Sequence, residues 1–263
     1  MGSLSVKSGR EDCCYDVVAS LGGNCSVAFQ LMHRGKPPCA YALDWTLMDD
    51  ARAITYLPEG IRTRFSAWCQ KENLIEYDEP GMEHGKKVFR YEDKLTGFRF
   101  MHHFHEAVEE GSCYADAKKK LDCRMARFYE SMSKAKRAFL ILSMKFPIAR
   151  EDAQKILEAL DSAFPGVYVR LRVLMFAASE QFNETCMDGR LEICSYIRPL
   201  DLHYDMYYTA PEWKFMDELH LTRSASVRDI RKKFPAKYRY KIWKALGRWL
   251  ERHGYGCANL TFD

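Results

Sequence analysis

The feature that most constrains the fold lies between Tyr15 and Arg34. Tyr15-Asp16-Val17-Val18-Ala19-Ser20-Leu21 is a short, nearly continuous apolar run, broken sharply by Gly22-Gly23-Asn24. The segment that follows, Cys25 to Arg34, carries Val27, Ala28, Leu31 and Met32 at helical spacing. A run with almost no polar face suits a strand covered on both sides. Asn24 can cap the helix, and His33-Arg34-Gly35 is a stop signal. A buried strand handing over to a helix predicts an α/β architecture with this strand central in its sheet. It also puts Cys25 outside the strand's carboxyl end, where open α/β sheets gather their ligands.

The rest of the chain alternates in the same way. After Pro37-Pro38, Ala40 to Trp45 reads as extended, and Thr46 to Asn73 as helical pieces broken near Pro58-Glu59-Gly60. Asp78 to Lys87 is polar, carries Pro80, Gly81 and Gly85, and reads as a surface loop. Two strands, Lys87 to Tyr91 and Gly97 to Phe104, flank the hairpin-like connection Glu92 to Thr96. Leu121, Met125, Phe128 and Met132 mark a long helix over Tyr114 to Lys136. Ala138 to Ser143, Val167 to Phe176 and Leu191 to Ile197 read as strands, and Arg150 to Ala163 as an amphipathic helix. Pro235 to His253 has the apolar stripe Tyr238, Ile242, Leu246, Trp249 and Leu250 of a C-terminal amphipathic helix. The expectation is a disordered leader over 1–12 and a single α/β domain over 13–263. Its core is a central, mostly parallel sheet flanked by helices in three layers.

Composition narrows the function classes. The chain has 263 residues, 47% of them hydrophobic, which is ample for a packed core and too apolar for a disordered protein. A net charge of +4 with both signs interleaved gives no reason to expect nucleic acid. The basic stretch Arg228 to Arg252 reads as a solvated helix face. No apolar run approaches the roughly 20 residues of a membrane span, and the first dozen residues lack an apolar signal region. The expected setting is cytoplasmic. Met1-Gly2 lacks the Ser or Thr at the sixth position that myristoylation favours. Ten cysteines without a single Cys-x-x-Cys spacing are expected as reduced thiols, with Cys123 and Cys194 as buried small hydrophobes.

Cys25 is the most informative candidate. At a helix N-terminus, unpaired N–H groups and the positive end of the macrodipole favour thiolate over thiol. The turn residues Gly23 and Asn24, with the amides that follow, could hold an oxyanion on an attacked carbonyl. The same pattern would serve a buried structural cysteine, or a phosphate loop, but the Lys-Ser/Thr ending of a P-loop is missing. A thiolate needs a base, and His102, His103 and His105 cluster on one strand. Strict alternation puts Phe98, Phe100 and His102 on one face, and Met101, His103 and His105 on the other. Metal binding by His103 and His105 would need a third ligand, such as His203 or Asp205, so no metal centre is expected. Asp44, beside Trp45, could orient an imidazole or cap a helix. With Trp45, the polar aromatic stretch Asp201 to Tyr208 suggests a substrate rim that includes His203, Asp205 and Tyr207.

The run Tyr15 to Ala28, then Leu43-Asp44-Trp45, then Gly97-Phe98-x-Phe100-x-His102, resembles a bacterial family of unknown function labelled "putative papain-like cysteine peptidase". The resemblance extends over most of the chain, Asp201 to Tyr208 included. It implies Cys25 as nucleophile, His102 as general base (His103 being the alternative) and Asp44 as orienting acid. The Gly-Asn-Cys element is also similar to one in thiol-containing acetyltransferases of capsular polysaccharide biosynthesis, which use acetyl-CoA. A papain enzyme reaches its cysteine helix from a cleft segment and keeps its histidine in a β-rich lobe, whereas here a buried strand leads straight into Cys25. The main reading is a thiol enzyme that attacks an acyl or amide bond through a Cys-His pair, with no cofactor. Its substrate would be a small molecule, peptide or carbohydrate. One alternative is an acyltransferase using acyl-CoA with a carbohydrate or small-molecule acceptor. The other is a non-catalytic binding protein with a structural Cys25. The sequence specifies no oligomeric state.

Overall fold

A computed structural model describes residues 14–34, 40–83, 85–109, 113–177, 182–197 and 213–221. The expected leader, the C-terminal helix over 235–253, and His203, Asp205 and Tyr207 lie outside these residues. The described part is a mixed α/β fold with several sheets where one was expected.

The first sheet has five strands. They are β2 (Val17–Ser20), β7 (Arg137–Met144), β8 (Tyr168–Ala177), β10 (Leu191–Ile197) and β9 (Phe182–Cys186), in that spatial order. Neighbours from β2 through β10 are parallel, and β9 closes the far edge antiparallel. The sheet is buried on both faces. Val17 and Ala19 share one apolar cluster with Leu140, Leu142 and Leu171. Val18 points the other way, into a second cluster with Phe139, Ile141 and Leu174. Helix α1 (Ser26–His33) covers that second face with Val27 and Leu31, beside Trp213 and Met216.

The strand before Cys25 therefore stands at the end of the sheet order, not at its centre. Its apolar character reports cover on both faces, which an end strand can also have. The expected single strand is also divided. The Asp16 carboxylate accepts the backbone N–H groups of Lys136 (2.8 Å) and Arg137 (3.1 Å). This leaves β1 (Cys14–Tyr15) to pair in parallel with β11 (His220–Leu221).

The second sheet is antiparallel, in the order β3 (Thr46–Leu47), β6 (Arg99–Phe104), β5 (Lys86–Asp93) and β4 (Leu74–Glu83). The stretch Asp78 to Lys87 thus belongs largely to a hairpin instead of a surface loop. Its strand signal is hidden because β4 is an edge strand, mostly exposed, with register shifts between Glu76 and Asp78 and between Asp78 and Gly81. Helix α2 (Ala51–Arg62) runs unbroken through Pro58, which is buried with Leu57 and Ile61. Helices α3 (Cys113–Ser133) and α4 (Arg150–Ala163) follow the sequence periodicity closely. Between α1 and β3, Ala42–Trp45 forms a 3-10 turn where extended chain was expected.

Candidate active site

Gly22 and Gly23 both adopt φ +94°, a left-handed conformation open to glycine at little cost. Gly23 has a second constraint. A Cβ there would fall on the backbone carbonyl of Ser143, deep inside van der Waals contact. The turn is pinned from two sides, with Ser143 N–H donating to the Gly22 carbonyl (3.2 Å) and Met48 N–H to the Gly23 carbonyl (3.1 Å).

Asn24 is buried, and both ends of its amide are in use. Its Nδ2 donates to the Ser143 carbonyl and hydroxyl, each at 3.0 Å, and its Oδ1 accepts from Ser26 N–H at 2.9 Å. The side chain is thus a brace and a helix cap. Any oxyanion donor in this turn would have to be a backbone amide. Cys25 follows directly, and its carbonyl accepts the first helical hydrogen bond, from Phe29 N–H at 3.1 Å. The thiol therefore stands at the N-terminal end of α1, partly exposed. Of the other described cysteines, Cys69 and Cys194 are buried, and burial pushes both thiols up from their ordinary pKa. Cys123, expected in the core, is exposed on α3. The apolar neighbours Leu121 and Met125 take the inward face of that helix.

The segment from Tyr41 to Met48 is a strap between this turn and the second sheet. Thr46 pairs with Phe100 on β6, and Met48 holds Gly23. Trp45 makes edge-to-face contacts with Phe29 (centroids 5.1 Å apart) and with His102 (5.9 Å). Cys25, just before α1, is one helical turn from Phe29, whose N–H its carbonyl accepts. Trp45 thus joins the His102 ring to the helix that begins just after Cys25.

His102 Nδ1 lies 2.7 Å from Glu83 Oε2, with both side chains about one-third exposed. The acid beside this imidazole is Glu83, not Asp44. Glu83 was missed because it sits at the end of the strand disguised as a loop. Asp44 is buried under the strap, where its Oδ2 accepts Tyr41 N–H at 2.6 Å and its Oδ1 has no hydrogen-bond partner. Burial raises its pKa to about 7, against the opposing effects of the Tyr41 N–H, the Arg124 charge and the Ser20 backbone.

His103, the alternative base, has both ring nitrogens buried without a hydrogen-bond partner. Burial, helped by the Arg124 charge, lowers its pKa well below the ordinary histidine value. It packs edge-on against Phe100 at 5.8 Å. His105 is exposed. Strict alternation fails here for a definite reason. Phe104 pairs with Phe89 and Phe100 with Tyr91, so four residue steps on β6 match two on β5. The surplus is a bulge that contains His102 and His103, with His105 just beyond it. Among the described residues, no group of three His, Cys, Asp or Glu side chains could hold a metal ion, and no helix is long and apolar enough to cross a membrane.

Residues 16–177, more than half of the chain and the whole of the region just described, match the family model "Putative papain-like cysteine peptidase (DUF1796)". The chain belongs to this family. A viral relative, "Uncharacterized protein R408" of Acanthamoeba polyphaga mimivirus, is 26% identical over 155 residues, which cover 54% of this chain and 69% of its own. No solved structure matches the chain significantly. The family match runs from just before β2 to the end of β8 and so includes Cys25, Glu83 and His102.

Proposed function

We propose that the protein is a thiol-dependent hydrolase in which Cys25 is the nucleophile, His102 its general base and Glu83 the carboxylate that orients the base. The observation that carries this reading is the Glu83–His102 pair, its imidazole packed on Trp45, whose other ring neighbour, Phe29, lies one helical turn from Cys25. With Nδ1 held by Glu83, the ring presents Nε2 for proton transfer, as the base of a nucleophile–base–acid triad does. The Cys25 sulfur bonds to the carbonyl carbon of an acyl or amide group, and the His102 imidazolium gives its proton to the leaving amine or alcohol. Water then attacks the thioester and passes a proton to His102. The acid product leaves and the thiol is restored.

Family membership supports a peptide-like substrate. The described cysteines form no disulfide, which fits a reducing, cytoplasmic setting. Limited iodoacetamide labelling with peptide mapping tests the nucleophile, and exposed Cys123 serves as the internal control. Cys25 should label first near neutral pH, and Cys25→Ser should abolish hydrolysis of peptide or ester substrates. If Cys123 labels readily while Cys25 stays inert in the folded protein, the cysteine is structural. Acyl transfer from acyl-CoA to a carbohydrate in place of water would instead identify a transferase.

A further inference from the structure

The strap from Tyr41 to Met48 touches both halves of the proposed site and contains one buried carboxylate, Asp44. Its Oδ2 closes the 3-10 turn on the Tyr41 N–H, and its Oδ1 is unpartnered although fully enclosed. The surrounding elements each bring something to it. Arg124 on α3 supplies a positive charge that acts on the carboxylate, and Arg127 acts on Arg124 in turn. The last residue of β2, Ser20, faces the carboxylate with its backbone just before the Gly22-Gly23 turn. On β6, half-buried His103 keeps both ring nitrogens buried, and burial with the same Arg124 charge disfavours its protonation. The next residue in the strap, Trp45, carries the rings of Phe29 and His102.

We propose that Asp44 is a positioning residue: its charge state sets the seat of the strap, and through Trp45 it sets the approach of the His102 ring to the Cys25 helix. The inference rests on the Cys25–His102 reading for its effect on chemistry, but not for the titration of the strap itself. When Asp44 is ionised, its carboxylate is drawn toward the Arg124 charge. When it is protonated, that attraction is lost and the carboxyl gains a donor where its Oδ1 had no hydrogen-bond partner. Each change acts on a 3-10 turn four residues long, so the next residue, Trp45, must respond. The burial that raises Asp44 to about pH 7 places the change in the range where a thiol enzyme works.

The test uses the full chain and two readouts. Trp45 fluorescence, taken as the difference between the wild type and Trp45→Phe, should show a transition near pH 7. Asp44→Asn should remove it, and Arg124→Gln should move it to higher pH, because the positive charge favours the carboxylate. The iodoacetamide rate at Cys25 should follow the same transition, with a change of several-fold in wild type that is absent from Asp44→Asn. If the fluorescence transition is missing in wild type or survives in Asp44→Asn, the proposal is wrong. A fluorescence transition with a Cys25 rate that ignores it also overturns the link to the site. Cys25 inert at every pH would sink the nucleophile reading instead, and the Trp45 signal would still report whether Asp44 moves the strap. Should Asp44→Asn fail to fold, the Arg124→Gln shift decides, since that side chain makes no hydrogen bond to Asp44.

Discussion

Glu83 Oε2 and His102 Nδ1 are 2.7 Å apart, although 19 residues separate them in the sequence. The hairpin of β4 and β5 brings them together, with β6 laid against its inner strand. A carboxylate on Nδ1 selects the tautomer and fixes the ring plane, as the base of the proposed triad requires. Glu83→Gln should therefore lower kcat of Cys25-dependent hydrolysis by roughly 10²- to 10⁴-fold, with little change in KM or in thermal stability. Steady-state kinetics checks this. A variant within a factor of two of wild type would make the pair an ordinary surface contact.

The glycine turn gives a sharper contrast. Gly23 and Gly166 both have positive φ, at +94° and +84°, but the space around them differs. A Cβ on Gly166 meets nothing within 4 Å, whereas on Gly23 it collides with the Ser143 backbone. Gly166→Ala should cost about 1 kcal/mol from backbone strain alone. Gly23→Ala must also push β2 away from β7, and should lose several times as much or yield no folded protein. Urea titration of the two variants side by side is the measurement, and equal midpoints would contradict the packing described for the turn.

Asn24 offers a test of the brace. Asn24→Asp keeps the acceptor for Ser26 N–H but loses both donors to Ser143 and turns a negative charge on its carbonyl. A buried acceptor left facing another acceptor costs about 1–3 kcal/mol, and more if the new group is charged. The variant should be destabilised by at least that much at pH 7 and partly recover toward pH 4, as the aspartic acid becomes a donor. Thermal melts at the two pH values read the difference. Stability that rises with pH relative to wild type would show that Asn24 does not donate to Ser143.

How much of this was legible in the sequence depended on whether local pattern and tertiary cover agreed. The helices α3 and α4 and the strands β7, β8 and β10 were readable, because buried residues alone set their periodicity. The position of Cys25 at the start of a helix was readable too, because two glycines, an asparagine and an apolar run are all local. Glu83 was not. It ends a bulged, exposed edge strand, where neither alternation nor apolarity marks a strand. The departure of His102 and His103 from strict alternation was hidden, because the β6 bulge depends on pairing with β5 and leaves no mark on β6 alone. The place of β2 at the end of its sheet was hidden because Val17 to Ser20 are covered on both faces as fully as a central strand.

Asp44 also makes stability depend on pH in a direction opposite to that of most carboxylates. Its folded pKa, about 7, lies above the unfolded reference of 3.8. Below pH 4 both states hold the proton, and the group adds no penalty. Between about pH 4 and pH 7 the unfolded chain releases the proton while the folded one keeps it, so stability falls as pH rises. Above pH 7 both are ionised and the loss levels off, at a few kcal/mol by the usual 1.4 kcal/mol per pKa unit. Asp44→Asn keeps an oxygen for the Tyr41 N–H and carries no titrating proton. Measured by urea unfolding at pH 4.5, 6 and 7.5, the variant should gain on wild type steadily across the series, with the gain complete near pH 7.5. Parallel profiles would mean that Arg124 already compensates the carboxylate fully, and that Asp44 is ionised throughout the physiological range.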